Sequence, residues 1–215
     1  MADRKSIAQE YYVLAVDQKG RRPNDDIGFS AGLVIAGVTD LMASNAVTLA
    51  EDRLRVTARL PEELRHLCSL YDYLQEGPNG TTAVYDYLDG KKRKLLIRDI
   101  GSSLADEGLA KACRCGLFGR NILYVPEPSY RETLIGLVKE ALFQEQRKAR
   151  DYVMLMLLSE AGVLKRYFPK DQRKVIKAAI KRLEEEDRQE PWARLAARID
   201  RMTVLALRRL WKECD

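Results

Sequence analysis

The sequence predicts a mainly α-helical fold: a single helical domain over residues 1–215, around a central apolar helix, with β-hairpins attached. Three observations predict it. Apolar residues recur at spacings of three and four through much of the chain, as one buried helix face requires. Val153–Leu158 is apolar on all sides, the mark of a helix enclosed by others. Strand patterning is confined to short stretches near Ala46–Thr57 and Leu117–Val125.

Ile7–Val16 opens with polar helical spacing and ends in the run Tyr11–Val16. Asp17-Gln18-Lys19-Gly20 reads as a turn, and Arg21–Asp26, with Pro23, as a polar loop. Phe29–Ala43 reads as a buried helix in which Gly32 and Gly37 admit close neighbours and which Asn45 can cap. Ala46–Leu49 and Leu54–Thr57, around Glu51-Asp52, give a hairpin. Pro61-Glu62-Glu63 starts a helix, because proline is tolerated in the first turn and acids suit the positive end of the dipole. Its stripe is Leu64, Leu67, Cys68, Tyr71 and Leu74, and Gly77–Gly80 ends it.

A short helix near Val84–Leu88 leads into Lys91–Lys94 and a longer helix, with Leu95, Leu96, Ile100, Leu104 and Leu109 on its apolar side. Leu117–Val125 reads as a strand or hairpin arm, closed by Pro126 and Pro128. The rest is helical. One stripe is Leu134, Leu137, Val138, Ala141 and Leu142, and another is Val175, Ile176, Ala179, Ile180 and Leu183. A terminal stripe runs Trp192, Leu195, Ile199, Met202 and Ala206. Glu184–Pro191 reads as a connector within the domain, and no internal repeat is present.

Composition removes several function classes. Thirteen Gly and seven Pro, scattered, do not make a disordered chain. No apolar run approaches the roughly 20 residues that span a bilayer, and Met1–Glu10 lacks the pattern of a secretory signal. A cytoplasmic protein with at most peripheral membrane contact is expected. Cys68, Cys113, Cys115 and Cys214 read as free thiols, and the lone His66 cannot complete a zinc set with them. There is no nucleophile turn, phosphate loop or dinucleotide fingerprint, and His66 has no acid or nucleophile placed near it by spacing. The reading is therefore a non-enzyme without cofactor or metal. The formal charge of +5 permits an anionic partner without requiring one.

Four stretches, in order, resemble the Golgi phosphoprotein 3 family. Tyr11–Gly20 is similar to its apolar run closed by an acidic-Lys-Gly turn, and Ser30-Ala31-Gly32-Leu33 with Asp40-Leu41 to its Gly-containing helix. Leu104–Gly108 is similar to the helix ending that leads into a β-hairpin, and Asp151–Phe168 to the family's long central helix, a match that the basic helix Arg173–Leu183 continues. The likeness is strongest over residues 9–185. It implies a phosphatidylinositol 4-phosphate-binding peripheral membrane protein acting as a non-enzymatic adaptor, on an anionic phospholipid surface, with a protein client that no residue pattern identifies.

The resemblance also implies a headgroup pocket made by a loop Trp, an Arg on the Gly-containing helix, and two Arg at i, i+3 on the middle helix. Here those positions fall at Pro23 or Asp25, at Val34, and at Lys94 and Ile97, which marks a divergent, bacterial-type member. The expected headgroup-binding residues are therefore Lys91, Arg93, Lys94 and Arg98. Ile122, Leu123 and Tyr124 correspond to a hairpin that the family uses for oligomer contacts, so they read either as a homo-oligomer contact or as a strand packed on its own core. The basic stripe Lys170, Arg173, Lys174, Lys177 and Lys181 reads as ordinary amphipathic patterning. The competing class is a winged-helix DNA-binding regulator, since Arg93–Val125 runs basic helix then hairpin, with Arg114 and Arg120 on the hairpin.

Overall fold

Helix α1 (Ile7–Ala15) is buried along its whole length, including Gln9 and Glu10. A buried helix must still satisfy the backbone groups left over at its ends. At the start, Ile7 and Ala8 donate to the Asp40 carboxylate at 2.8 and 2.9 Å, and Gln9 donates to Ser6 Oγ in a capping box. At the other end, Arg131 donates to the carbonyls of Val13, Val16 and Asp17, Arg166 to Ala15, and the Tyr167 hydroxyl to Leu14. These geometries come from a computed structural model that describes residues 4–23, 26–50, 53–76, 87–88, 92–116, 121–143 and 149–186.

Helix α2 (Asp26–Ala43) packs on α1, and a Cβ at Gly32 would stand 2.3 Å from the Tyr11 hydroxyl oxygen. The two backbones approach this closely because glycine carries no Cβ. Asn45 ends the helix with φ of 60°, as its sequence position predicts. Asn45 N–H then reaches Met42 O and Ala46 N–H reaches Leu41 O, the paired bonds of a Schellman close. Strands β1 (Val47–Ala50) and β2 (Arg53–Val56) form the expected antiparallel hairpin, with Val47 opposite Val56.

The predicted helix after Pro61 begins as a 3-10 turn (Glu62–Leu67) and continues as α3 (Cys68–Glu76). Helix α4 (Lys92–Asp106) buries Leu96, Ile100, Gly101 and Leu104. Two residues assigned to its apolar side behave otherwise. Leu95 is 38% exposed, because residues spaced four apart from Leu96 set the inner face and Leu95 is turned about 100° from Leu96. Leu109 lies beyond the helix end, after Gly108 at φ 71°.

Strands β3 (Ala110–Cys115) and β4 (Asn121–Pro126) pair antiparallel from Ala110 opposite Pro126 to Cys115 opposite Asn121. The sequence reading marked only the second arm as a strand, although it placed Arg114 on the hairpin, and 117–120 lie outside the described residues. A Cβ at Gly101 would meet the Tyr124 ring at 2.2 Å, so this hairpin seats directly against α4.

Helix α5 (Pro128–Phe143) is followed by α6 (Ala149–Glu160), a 3-10 turn (Leu164–Arg166) and α7 (Lys170–Glu186). Every residue of Asp151–Leu158 in α6 is buried, against α1, α2, α5 and α7. On α7, Ile176 and Ala179 are buried as predicted, but Val175 is 61% exposed because it faces away from that pair. Most of the short helix expected at Val84–Leu88, and the terminal stripe from Trp192, lie outside the described residues. A single apolar cluster runs from Ile7 to Ile176. Among the described residues no helix is long and apolar enough to cross a membrane.

Candidate functional site

The basic turn at the start of α4 is held in place by its neighbours. Lys92 Nζ sits 4.0 Å from the centroid of the Tyr73 ring, a cation–π contact that ties the turn to α3. Lys94 and Arg98 are exposed and Arg93 is half-buried, while Lys91 lies outside the described residues. Arg98 is paired to Asp99 at 3.0 Å, which offsets part of its charge. Lys94, Leu95 and Arg98 share about 100° of the helix circumference. An exposed apolar side chain therefore stands beside two exposed cations, a pairing suited to a surface with anionic heads over apolar chains.

The other positions of the family pocket are apolar or have lost the stacking ring. Val34 is fully buried on α2, Ile97 is half-buried, and Pro23 is half-buried in the loop before α2, while Asp25 is not described. Lys94 alone keeps charge, and a lysine ammonium is a flexible point charge where arginine offers a planar fork. The exposed side of α4 offers cations and Leu95 but no Asn or Gln to read base edges. On the hairpin, Ile122 is 49% exposed and Leu123 half-buried, whereas Tyr124 is 7% exposed and packs on its own core. A partner could reach only the first two.

Sequence spacing missed a buried polar network around Glu10. Arg4 grips both Glu10 oxygens at 2.9 and 3.0 Å and also reaches Asp151, and Arg150 reaches Glu10 at 3.0 Å. His66 is not isolated, because its Nε2 stands 2.8 Å from Ser6 Oγ and it feels the charge of Glu107. Burial holds its pKa down to about 4, so the ring is neutral at physiological pH. A serine–histidine contact invites a hydrolytic reading, but Ser6 is occupied in capping α1. The first N–H groups of α1 all have partners and leave no donors to hold an oxyanion. Burial also raises Asp40 to about 6, against the opposing pull of its two N–H donors. No signal in the sequence could have joined Ser6, Asp40 and His66, whose contacts close over 32 to 60 residues.

Among the described residues, cavities also lie away from α4. A groove of about 1070 Å³ beside the end of α1 is lined by Asp17, Lys19, Arg21, Arg131, Glu132 and Arg166, among others. Its two best-placed cations are already engaged on α1 carbonyls, and two acids offset the others. A smaller notch of about 350 Å³ lies between the end of α6 and the start of α7. Cys113 is exposed, Cys68 and Cys115 are half-buried, and all three are free thiols. No cluster of potential metal ligands occurs among the described residues.

A family model described as Golgi phosphoprotein 3 (GPP34) matches residues 7–201. No match was found among curated proteins.

Proposed function

The chain belongs to the Golgi phosphoprotein 3 family, and from that premise we propose that it is a non-enzymatic adaptor that binds anionic lipid headgroups peripherally. The observation that carries this reading is the outer face of α4, where Lys94 and Arg98 flank exposed Leu95 and Lys92 stands on Tyr73. Each basic residue near an anionic leaflet contributes about 1 kcal/mol. Several together give reversible attachment, to which a partly inserted leucine adds.

The recognition is electrostatic. With Val34 and Ile97 at two of the family's arginine positions and no tryptophan at Pro23, a stereospecific grip on one phosphorylated inositol ring is not provided by those positions. Liposome co-sedimentation tests the proposal with neutral vesicles, generically anionic vesicles and vesicles carrying phosphatidylinositol 4-phosphate, each at low and physiological salt. The expected result is pelleting with both anionic kinds at low salt, weakening as salt rises and reduced by Lys94→Ala with Arg98→Ala. Selectivity for the phosphoinositide would replace the electrostatic account with a rebuilt pocket. Absence of pelleting at low salt would overturn the lipid reading, and a DNA titration would then follow.

A further inference from the structure

Helix α7 carries a second concentration of charge that the membrane reading does not use. Lys170, Arg173, Lys174 and Lys177 stand at i, i+3, i+4 and i+7, on one face of the helix. A solvated amphipathic face accounts for such spacing by itself. It does not account for what stands opposite. Lys165, on the separate 3-10 turn, lines the same notch, and Ser159, Gly162 and Leu164 complete it. Five of the eight lining residues are thus cationic, and none is acidic. Glu160 and Asp171 adjoin lining residues in sequence, yet neither lines the notch.

Two further observations bear on the walls. Arg173 lines the notch, and its Nε is buried with no hydrogen-bond partner among the described residues. A buried donor without an acceptor is costly, but Arg150 Nε is another, so the cationic lining of the notch carries the assignment. The backbone at this corner is also fixed. Gly162, at φ 65°, closes α6 with its N–H on Ser159 O and with Val163 N–H on Leu158 O, and Arg173 N–H is bonded to Pro169 O. The cations are therefore brought together by set turns, against their mutual repulsion.

We propose that this notch binds a compact, multiply charged phosphate, of the pyrophosphate or phosphomonoester class. Five cations with no acid in the lining favour a multiply charged anion over a single carboxylate. A guanidinium among ammonium groups suits phosphate oxygens, because the fork orients them while the lysines supply charge. The notch, walled by Leu164 as its one large apolar residue, has no aromatic face for a base or sugar ring. The site is independent of the α4 surface and stands or falls separately from it.

Isothermal titration of the full chain with inorganic pyrophosphate, at ionic strength fixed with sodium chloride, tests the assignment. Saturable one-site binding is expected. Lys174 and Lys177 are exposed, so Lys174→Ala with Lys177→Ala leaves the fold intact and should weaken binding at least about tenfold. Arg173→Lys should also weaken it, since the charge stays and the fork is lost, with far-UV circular dichroism confirming the helix content. Lys94→Ala with Arg98→Ala should leave the affinity unchanged. No saturable binding by the wild-type chain, or equal affinity in the Lys174/Lys177 variant, would overturn the proposal. Vesicles bearing phosphatidic acid identify the source of the phosphate once binding is established. Pelleting that the Lys174/Lys177 variant loses, and that pyrophosphate displaces, supports a headgroup; pelleting unchanged by the variant supports a soluble phosphate compound.

Discussion

His66 is the only histidine in the chain, so its protonation can be followed without ambiguity and its effect on stability isolated. It is 7% exposed and held against Ser6, with its pKa lowered from 6.5 to about 4 by burial, which the charge of Glu107 opposes. Above pH 6.5 the ring is neutral in both the folded and the unfolded chain, and its contribution to stability is fully present. As pH falls through 6.5 the unfolded chain takes up a proton that the folded chain refuses until about pH 4. The loss amounts to about 2 kcal/mol at pH 5 and about 3 kcal/mol at pH 4, at roughly 1.4 kcal/mol for each pH unit. A total stability of about 5–15 kcal/mol makes this a large effect. Urea unfolding of the wild type and of His66→Gln at pH 7 and pH 5 measures it by difference, which cancels the titrating groups that are not coupled to the ring, Glu107 being the coupled one. The stability gap between the two proteins should shift against the wild type by about 2 kcal/mol between those pH values. Proton NMR of the imidazole should give a midpoint near 4. A midpoint near 6.5, or a gap that does not move with pH, would refute the reasoning and place the ring in water.

Asp40 should act with the opposite sign. Its folded pKa is raised from 3.8 to about 6, so its contribution is fully present below 3.8 and is lost as pH rises through 6, by about 3 kcal/mol in all. Comparing wild type with Asp40→Asn by urea unfolding at pH 4 and pH 7 checks the slope, and a difference that grows with pH contradicts it. Gly101→Ala places a methyl group 2.2 Å from Tyr124 Cδ2. Overpacking at about 1–3 kcal/mol should outweigh the roughly 1 kcal/mol of helix propensity gained, and an unchanged urea midpoint would show that the Tyr124 ring yields freely. Sedimentation velocity should reveal self-association that Ile122→Asp abolishes, since Ile122 is half exposed and Tyr124 is not accessible. A monomer at all concentrations would remove the hairpin as a partner surface.

Local chemistry was legible and long-range chemistry was not. Asn45, the hairpin at Val47 and the inner faces of α4 and α7 follow from propensity and spacing, because one or two turns of chain decide them. Leu95 and Val175 misled because an apolar residue next to a stripe looks like part of it, and only the packed neighbour decides which way the face turns. Only Arg114 of β3 was placed on the hairpin and the strand's extent was not read, because Lys111, Arg114 and two cysteines give no apolar alternation, and pairing with β4 supplies what its own composition does not. The site divides along the same line. The basic turn of α4 could be read from consecutive residues. The notch could not, because Lys165 meets the α7 cations only after the chain turns at Gly162 and Pro169.

The capping of α1 sets an order of events during synthesis. The groups that satisfy Ala15 and Leu14 are Arg166 and Tyr167, 151 and 153 positions further on. At about 5–20 residues per second, a ribosome needs roughly 8 to 30 s to supply them. During that interval a largely apolar helix, ending in carbonyls that cannot be buried unpaired, has α2 beside it but not α6 or these caps. Tyr11–Val16 is accordingly the segment for which a nascent-chain chaperone would compete until the 3-10 turn after α6 has been made, and slowing translation between α5 and α7 should prolong its exposure.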